Sequence, residues 1–471
     1  MGKMNRALML DTLTHQRQSF LTKGTPTVQK RRSDLKKLRL AIVSNRQAIE
    51  DALIADFGSR SRHETVITEI MTLLNGIDYL HKNLRRFMRS ERRHVPLNFQ
   101  PAKAYVTYQP LGVIGIISPW NFPVALALMP LATALAAGNR AMLKPSELTP
   151  HTSQLLEEIL SDSFSPEDVA VVQGDADTGK QFSQLPFDHL FFTGSTQVAR
   201  HVMRAASENL VPVTLELGGK SPVVIDPDHP IDHAAKQIAY GKLANSGQVC
   251  IAPDYAFVPE SKLAQFIADY DAAVKSAYPD GPDSHEFTSL INHAHFDRLT
   301  ALIEDAKQHG ARIENVGFSP EHAKNREKTI APSLVLDATN TMKIMQEEIF
   351  GPILPVITYQ NIDQVIDFIN AKSRPLALYY FGPENKNRQR LLTQTTSGNV
   401  TVNGTILHVA IDDLPFGGVG LSGMGAYHGI EGFRTMSHAK GIFEMKKWNL
   451  SQVLTPPFGK FANLLMKLLI R

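Results

Sequence analysis

The sequence predicts an α/β protein whose parallel sheet is covered by helices on both faces, and three observations carry that expectation. The chain has 471 residues, which at roughly 100 to 200 residues per domain is room for two to four domains or lobes. Short apolar runs of strand length alternate with helical patterns and short connections, the order that parallel sheets produce. The runs are apolar throughout instead of alternating with polar residues, as strands covered on both faces are.

Along the chain, Leu35, Leu38, Ile42, Ile49 and Leu53 fall on one face among Lys, Arg and Glu, so residues 30–90 read as scaffold helices. VPLNFQPAKAYVTYQP, 95–110, with alternating residues and three prolines, reads as an extended arm or edge hairpin. LGVIGIISPWNFPVALALMPLATALAAG, 111–138, is uncharged and long enough to span a bilayer. Pro119, Pro123 and Pro130 argue instead for a buried strand (Val113 to Ile117), a PWNFP loop and a buried helix from Val124. RAMLKP then reads as a strand, TPHTSQLLEEILSDS as a capped helix, DVAVVQG and HLFFTG as strands, and STQVARHVMRAAS as a helix starting on Ser or Thr. After TLELGG a second α/β block runs from 218 to about 400: strand SPVVID, helix HPIDHAAKQIAYGKLANS, strand YAFVPE and helix ESKLAQFIADYDAAVKSAY. PFGGVGLSGMGAYHG is too Gly-rich to be regular throughout, and GIFEMKKW reads as a further edge strand.

Composition excludes several classes. Hydrophobic residues make up 43% and charged residues 20%, with 30 Gly and 28 Pro, which rules out a disordered or collagen-like chain. With 49 Lys and Arg against 46 Asp and Glu, the net charge of +3 is too small to make electrostatic capture of nucleic acid the main business of the chain. One cysteine permits no internal disulfide and no Cys cluster for zinc or iron-sulfur. The opening MGKMNRALMLDTLTHQRQSF reaches Asp11 without an apolar run of signal-peptide length, so a cytoplasmic location is expected. The 17 histidines show no H-E-x-x-H and no paired spacing for zinc, so no metal is expected.

Several residues can carry chemistry. A lone cysteine is commonly a small buried hydrophobe. Cys250, however, sits in SGQVCIAPDY, where Gly247, Gln248 and Pro253 mark a turn that can present a thiol to a cleft. Glu216 in VTLELGGK is either an exposed strand residue or a carboxylate in an apolar pocket at a strand's carboxyl end, where burial raises it toward a useful general base. Asn121 in PWNFP can close a turn, or donate its amide to a developing oxyanion. No GxGxxG follows a strand, but FFTGST leads into a helix, so Gly194 allows close backbone approach, and Ser195 with the helix amides can meet a pyrophosphate. Lys144 and Glu147 in LKPSE follow a strand, where a carboxylate accepts from ribose hydroxyls and a lysine binds one of them. Trp120, Phe122 and the adjoining apolar helix either pack the core or line the approach to such a site.

These segments, in order from about 30 to 448, resemble the aldehyde dehydrogenase superfamily: PWNFP, KPSE, FTGST, LELGGKSP, GQVCIAPDY, EEIFGPILPV and PFGGVGLSG stand where that family has them. CIAPDY and GMGAYHGIEGFRTMSHAK are similar to its class three and coniferyl aldehyde dehydrogenase branch. The resemblance implies a doubly wound cofactor-binding domain, a second α/β catalytic domain and a small β bridging arm that joins subunits into a homodimer. On this chain it places the dinucleotide-binding domain at 1–94 and 111–216 with the Gly-rich segment near 415–434, the catalytic domain at 217–414, the arm at 95–110 and 435–448, and a tail at 449–471. It makes Cys250 the nucleophile, Glu216 the general base, and Asn121 the oxyanion donor beside the Cys250 backbone amide. Trp120, Lys144, Glu147, Gly194, Ser195, Glu348 and Phe350 become cofactor-binding positions, the last two at the nicotinamide ribose and ring, and Glu348 is a second candidate for proton handling. Ala199 departs from the family's usual Gly by one methyl.

The implied activity is NAD(P)-dependent oxidation of an apolar or aromatic aldehyde to its acid through a cysteine thiohemiacetal and thioester. Glu147 favours NAD over NADP, since a carboxylate repels a 2′-phosphate. Alternatives are a CoA-acylating relative, against which Glu216 argues, and a catalytically silent binding protein on the same fold. In the tail, Phe461, Leu464, Leu465, Leu468 and Leu469 fall at helical spacing with Lys460, Lys467 and Arg471. That stretch is too short to span a bilayer; it either docks on a neighbouring subunit or lies on a membrane surface, the first being favoured.

Overall fold

The computed structural model describes residues 5–470 except 325, 448, 450, 453 and 454, and no side chain at 98 or 469. Trp448, Leu469 and Arg471, which belong to the expected closing strand and tail pattern, therefore lie outside the described residues or side chains.

Three sheets organise the chain. The first has six strands in the order Gly423–Met424, Val213–Glu216, His189–Thr193, Val113–Ile117, Arg140–Lys144 and Val169–Val171, parallel except for the first. The second has seven, in the order Arg312–Asn315, Ser333–Leu336, Ile353–Tyr359, Tyr255–Pro259, Pro222–Ile225, Ala377–Phe381 and Asn399–Val402, again parallel except for the first. The third is antiparallel and joins Glu91–Arg93, Lys103–Pro110 and Ser437–Glu444. The fold is thus α/β with helix-covered parallel sheets. Strands such as Pro222–Ile225 and Ala377–Phe381 are buried at every position, and both are continuous apolar runs.

The first sheet contains a reversal that positions a site. From Val113–Ile117 the chain builds outward through Arg140–Lys144 to Val169–Val171, then returns to lay His189–Thr193 on the opposite flank. In doubly wound sheets ligands bind beyond the carboxyl ends at such a switch. The register brings the ends level: Ile117 pairs with Lys144 on one side and Phe192 on the other, and Thr193 pairs with Glu216.

Three local findings differ from the sequence reading. Residues 6–23, which carried no assigned element, form a helix, Arg6–Lys23, that buries Met9 and Leu13. Its third inward position is Gln16, whose amide donates to the carbonyls of Ala141 and Pro166, so a polar residue interrupts the apolar stripe. The helix Pro150–Ser163 begins after Thr149, but that side chain does not cap it. Asp56 does so from a distant helix, accepting from the amides of His151 and Thr152 at 2.9 Å each. The closing strand ends at Glu444, short of the expected Trp448.

The tail forms the helix Lys460–Leu469, which buries Ala462 and exposes Phe461, Leu464 and Leu468. Among the described residues no helix is long and apolar enough to cross a membrane.

Candidate active site

Cys250 lies just past a tight left-handed turn. Asn245, Ser246 and Gly247 all have positive φ (47°, 52° and 76°), conformations that cost energy for side-chain-bearing residues and persist only where the surroundings enforce them. The enforcement is visible. Glu64 accepts from the Asn245 amide at 3.0 Å and from the Thr288 hydroxyl at 3.2 Å, while Gln248 donates to the carbonyls of Asn245 and Ser289 and accepts from the Ile291 amide. At Gly247 any β-carbon would collide with the Gly351 carbonyl.

Asn121 is buried and locked to the same turn. Its Nδ2 donates to the Gln248 carbonyl at 3.0 Å, and its own carbonyl accepts from Asn245 Nδ2 at 3.1 Å and from Arg60 Nη1 at 2.8 Å. A primary amide has two N–H groups, so one remains for a ligand oxygen. Arg60 is itself fully buried, lies against the rings of Phe57 and Phe122 at 4.5 and 5.2 Å, and pairs with Glu69 at 3.0 Å. The second oxygen of Glu69 accepts from the amides of Val124 and Ala125, capping a helix that has no cap of its own.

Glu216 ends its strand with its backbone held on both sides: its carbonyl accepts from Gly194 at 3.1 Å, and it pairs with Gly423 across the sheet edge. The exposed-strand alternative does not hold. The residue is 3% exposed and both carboxylate oxygens lack a protein partner, so burial pushes the carboxyl well above its ordinary value. Glu348 lies against the same turn, accepting from the Gly219 amide, and a methyl on Gly218 would collide with its carboxylate. Burial, then the charge of Asp254, raises Glu348 to about 8. The Cys250 thiol is pushed up to about 12, first by burial and then by the negative charges of Glu348 and Glu216.

Two cavities meet at Cys250. The first is lined by Trp120, Asn121, Gly194, Ser195, Glu216, Cys250, Glu348 and Phe350, together with His295 and Arg298. It opens over the switch point of the first sheet. Ser195 caps the helix Thr196–Ser207 by accepting from Val198 N, so the helix's free amides face this end of the sheet. Ala199 is buried in the apolar cluster beneath. Trp120 packs edge-on against Phe350 at 5.4 Å, and Phe350 is held at positive φ (52°). Arg298 fixes that segment by donating to the Glu348 and Ile349 carbonyls. Lys144 and Glu147 do not line this cavity; they pair with each other at 2.8 Å at the end of the neighbouring strand. A helix N-terminus, an aromatic pair and a lysine–carboxylate pair along one sheet edge suit the pyrophosphate, nicotinamide and ribose of a dinucleotide.

The second cavity is a mostly apolar passage. It reaches Cys250 past Phe122, Leu126, Met129, Val249, Ile251, Ile406 and Phe416, with Tyr240 and Asp412 among its polar groups. The sequence reading did not single out Arg60, Glu64, Glu69, Asn245, Arg298 or Asp412, and it took Gln248 only as a turn marker. All but Asp412 act through a partner far away in sequence, and Asn245 and Gln248 also carried a local signal in their nearness to Cys250. Among the described residues no cluster of three or more His, Cys, Asp or Glu is placed to hold a metal ion.

A profile of the Aldehyde dehydrogenase family matches residues 12–442. A Pseudomonas aeruginosa protein described as "Probable coniferyl aldehyde dehydrogenase" is 47% identical, covering 97% of this chain and 95% of the relative. A "Coniferyl aldehyde dehydrogenase" of a Pseudomonas species is 44% identical over the same shares. The solved "Substrate bound state of Staphylococcus Aureus AldH" superposes with a TM-score of 0.93 at 38% identity, covering 99% of this chain and all of that one.

Proposed function

From the premise that the chain belongs to the aldehyde dehydrogenase family and oxidises aldehydes with NAD(P), we propose that its substrate is coniferyl aldehyde or a similar apolar aromatic aldehyde. We assign Cys250, Glu216 and Asn121 as its catalytic residues. The observation that carries the assignment is the unpartnered, buried Glu216 carboxylate facing the same cavity as Cys250 and Asn121. The names of the relatives and the apolar passage to the thiol support the substrate class.

The residues divide the work as follows. With both Cys250 and Glu216 raised, the thiol keeps its proton until a carbonyl arrives, and Glu216 is basic enough to take it as Sγ attacks. The oxygen, now negatively charged, is met by the free N–H of Asn121 and the Cys250 backbone amide. Nicotinamide, when bound, supplies the hydride acceptor that turns the thiohemiacetal into a thioester. Once it has passed the thiol's proton on to solvent, Glu216 takes a proton from water, whose oxygen attacks the thioester carbonyl; the acid leaves, and the departing thiolate takes that second proton back from Glu216, which restores the thiol. Trp120, Gly194, Ser195, Glu348 and Phe350 would hold the cofactor's pyrophosphate and nicotinamide end, and Lys144 with Glu147 its ribose. A free, basic Glu216 favours hydrolysis over capture of the thioester by a thiol cofactor. Glu348, held by Gly219, is the second candidate for proton handling.

We assign the six-stranded unit to cofactor binding and the seven-stranded unit to the nucleophile, and infer a cytoplasmic homodimer joined through the three-stranded sheet. The strand Ser437–Glu444 leaves an open edge with most residues exposed, Phe443 among them, and an open edge invites pairing. Light scattering that gives a monomer would sink the dimer.

The test of the function mixes protein with NAD or NADP and coniferyl, benzyl or medium-chain aldehydes and follows nicotinamide reduction. Cys250→Ala abolishes turnover, and Glu216→Gln gives one burst without turnover. No reduction by the unaltered protein with any aldehyde overturns the reading.

A further inference from the structure

The apolar passage to Cys250 has one carboxylate in its wall. Asp412 is half-buried, burial alone lifts its carboxyl to about 6, and among the described residues no hydrogen-bond or ion-pair partner is recorded for it. Its neighbour Asp413 differs: it is exposed and accepts from the Tyr79 hydroxyl. The space for Asp412 is made by a glycine. A methyl on Gly76 would come within 3.1 Å of Asp412 Oδ1 and 2.6 Å of Met129 Sδ, so the carboxylate and the thioether share a recess that a larger residue in that helix would fill. Farther round the wall, His428 is buried, stacks on Phe416 at 5.0 Å and is pushed down to about 4, so it is neutral and does not neutralise Asp412 as a cation.

The passage is mostly apolar, and of the hydroxyl-bearing residues that line it, Thr68, Thr72, Tyr240 and Tyr427, none is hydrogen-bonded to Asp412; an acceptor without a donor there is costly unless something meets it. Water serves when the passage is empty. A ligand filling the passage and displacing that water must bring a donor of its own. An aldehyde whose carbonyl sits at Cys250 would carry that donor at its other end.

We propose that Asp412 is a specificity-determining residue that accepts a hydrogen bond from a hydroxyl on the substrate, at the end remote from the aldehyde. The selected substrates are then aromatic aldehydes with an apolar body and a ring hydroxyl, in preference to their O-methylated or unsubstituted counterparts. This rests on the aromatic-aldehyde reading above and deepens it.

The test compares kcat and KM of the unaltered enzyme, Asp412→Leu and Asp412→Asn for three aldehydes on one phenylpropenal frame: coniferyl aldehyde, its 4-O-methyl ether and cinnamaldehyde. A hydrogen bond to a charged acceptor corresponds to a preference of roughly 10- to 100-fold in kcat/KM for the hydroxylated compound. Asp412→Leu removes that preference, and does so through KM. Asp412→Asn, which keeps an acceptor oxygen, restores part of it. Equal preference in the unaltered enzyme and Asp412→Leu overturns the proposal while leaving the aromatic-aldehyde reading intact. An unaltered enzyme that turns over none of the three overturns both.

Discussion

Arg60 donates to the backbone carbonyl of Asn121 at 2.8 Å while its other nitrogen pairs with Glu69, and all of this is closed to solvent. One cation therefore ties the proposed oxyanion donor to the carboxylate that caps the following helix. Arg60 touches no reacting atom; its part is to position.

Arg60→Met should accordingly do two separable things. Removing one partner of a buried pair costs about 3 to 5 kcal/mol of stability, read by urea unfolding. At a temperature where the variant is still folded, kcat should fall about tenfold or more while the aldehyde KM moves little, because an oxyanion donor acts in the transition state. Arg60→Lys should recover part of kcat. A variant that loses stability but keeps kcat would show that Asn121 does not depend on this contact.

Glu64 makes a prediction about pH. Burial first of all holds its carboxyl up to about 7 against an ordinary 4.5, its hydrogen bonds to Asn245 and Thr288 pulling the other way. Between those values the folded chain keeps a proton that the unfolded chain has released. This contribution to stability is therefore full below about 4.5 and is lost as the pH rises through 7, by roughly 3 kcal/mol in all. Urea unfolding at pH 5 and pH 8 should show a smaller loss for Glu64→Gln than for the unaltered chain. Identical losses would remove Glu64 as the source.

Lys144 and Glu147 pair at the strand end beside the switch point, outside the cavity that holds Cys250. If they hold the ribose, Glu147→Gln should raise KM for NAD about tenfold, the worth of one charge-assisted hydrogen bond. It should also narrow the gap between NAD and NADP while leaving the aldehyde KM unchanged. A rise in the aldehyde KM alone would place the pair elsewhere in the mechanism.

Much of the first sheet is legible in the sequence because its strands are short, apolar at their centres and punctuated. Val113–Ile117 and His189–Thr193 stand out as soon as PWNFP and GST mark their ends. Cys250, Glu216 and Asn121 are legible for a related reason: each sits in a turn rich in Gly, Pro or Asn, where a chain that only needed packing would not spend such residues. The support beneath them is not. Glu69 is one more glutamate in a charged helical stretch, and only the fold reveals that it meets Arg60, Val124 and Ala125. Gln16 and Asp56 hide likewise, since a polar residue that satisfies backbone groups 95 or more positions away leaves no periodic trace.

Cys250 and Leu126 belong to both cavities, which gives the thiol two doorways instead of one. If Cys250 is the nucleophile, as proposed, an acyl chain still anchored to its sulfur would fill the apolar passage and leave the opposite doorway clear. Spent dinucleotide can then be exchanged for fresh while the acyl group waits for water. On that assignment the two reactants would come and go by separate routes.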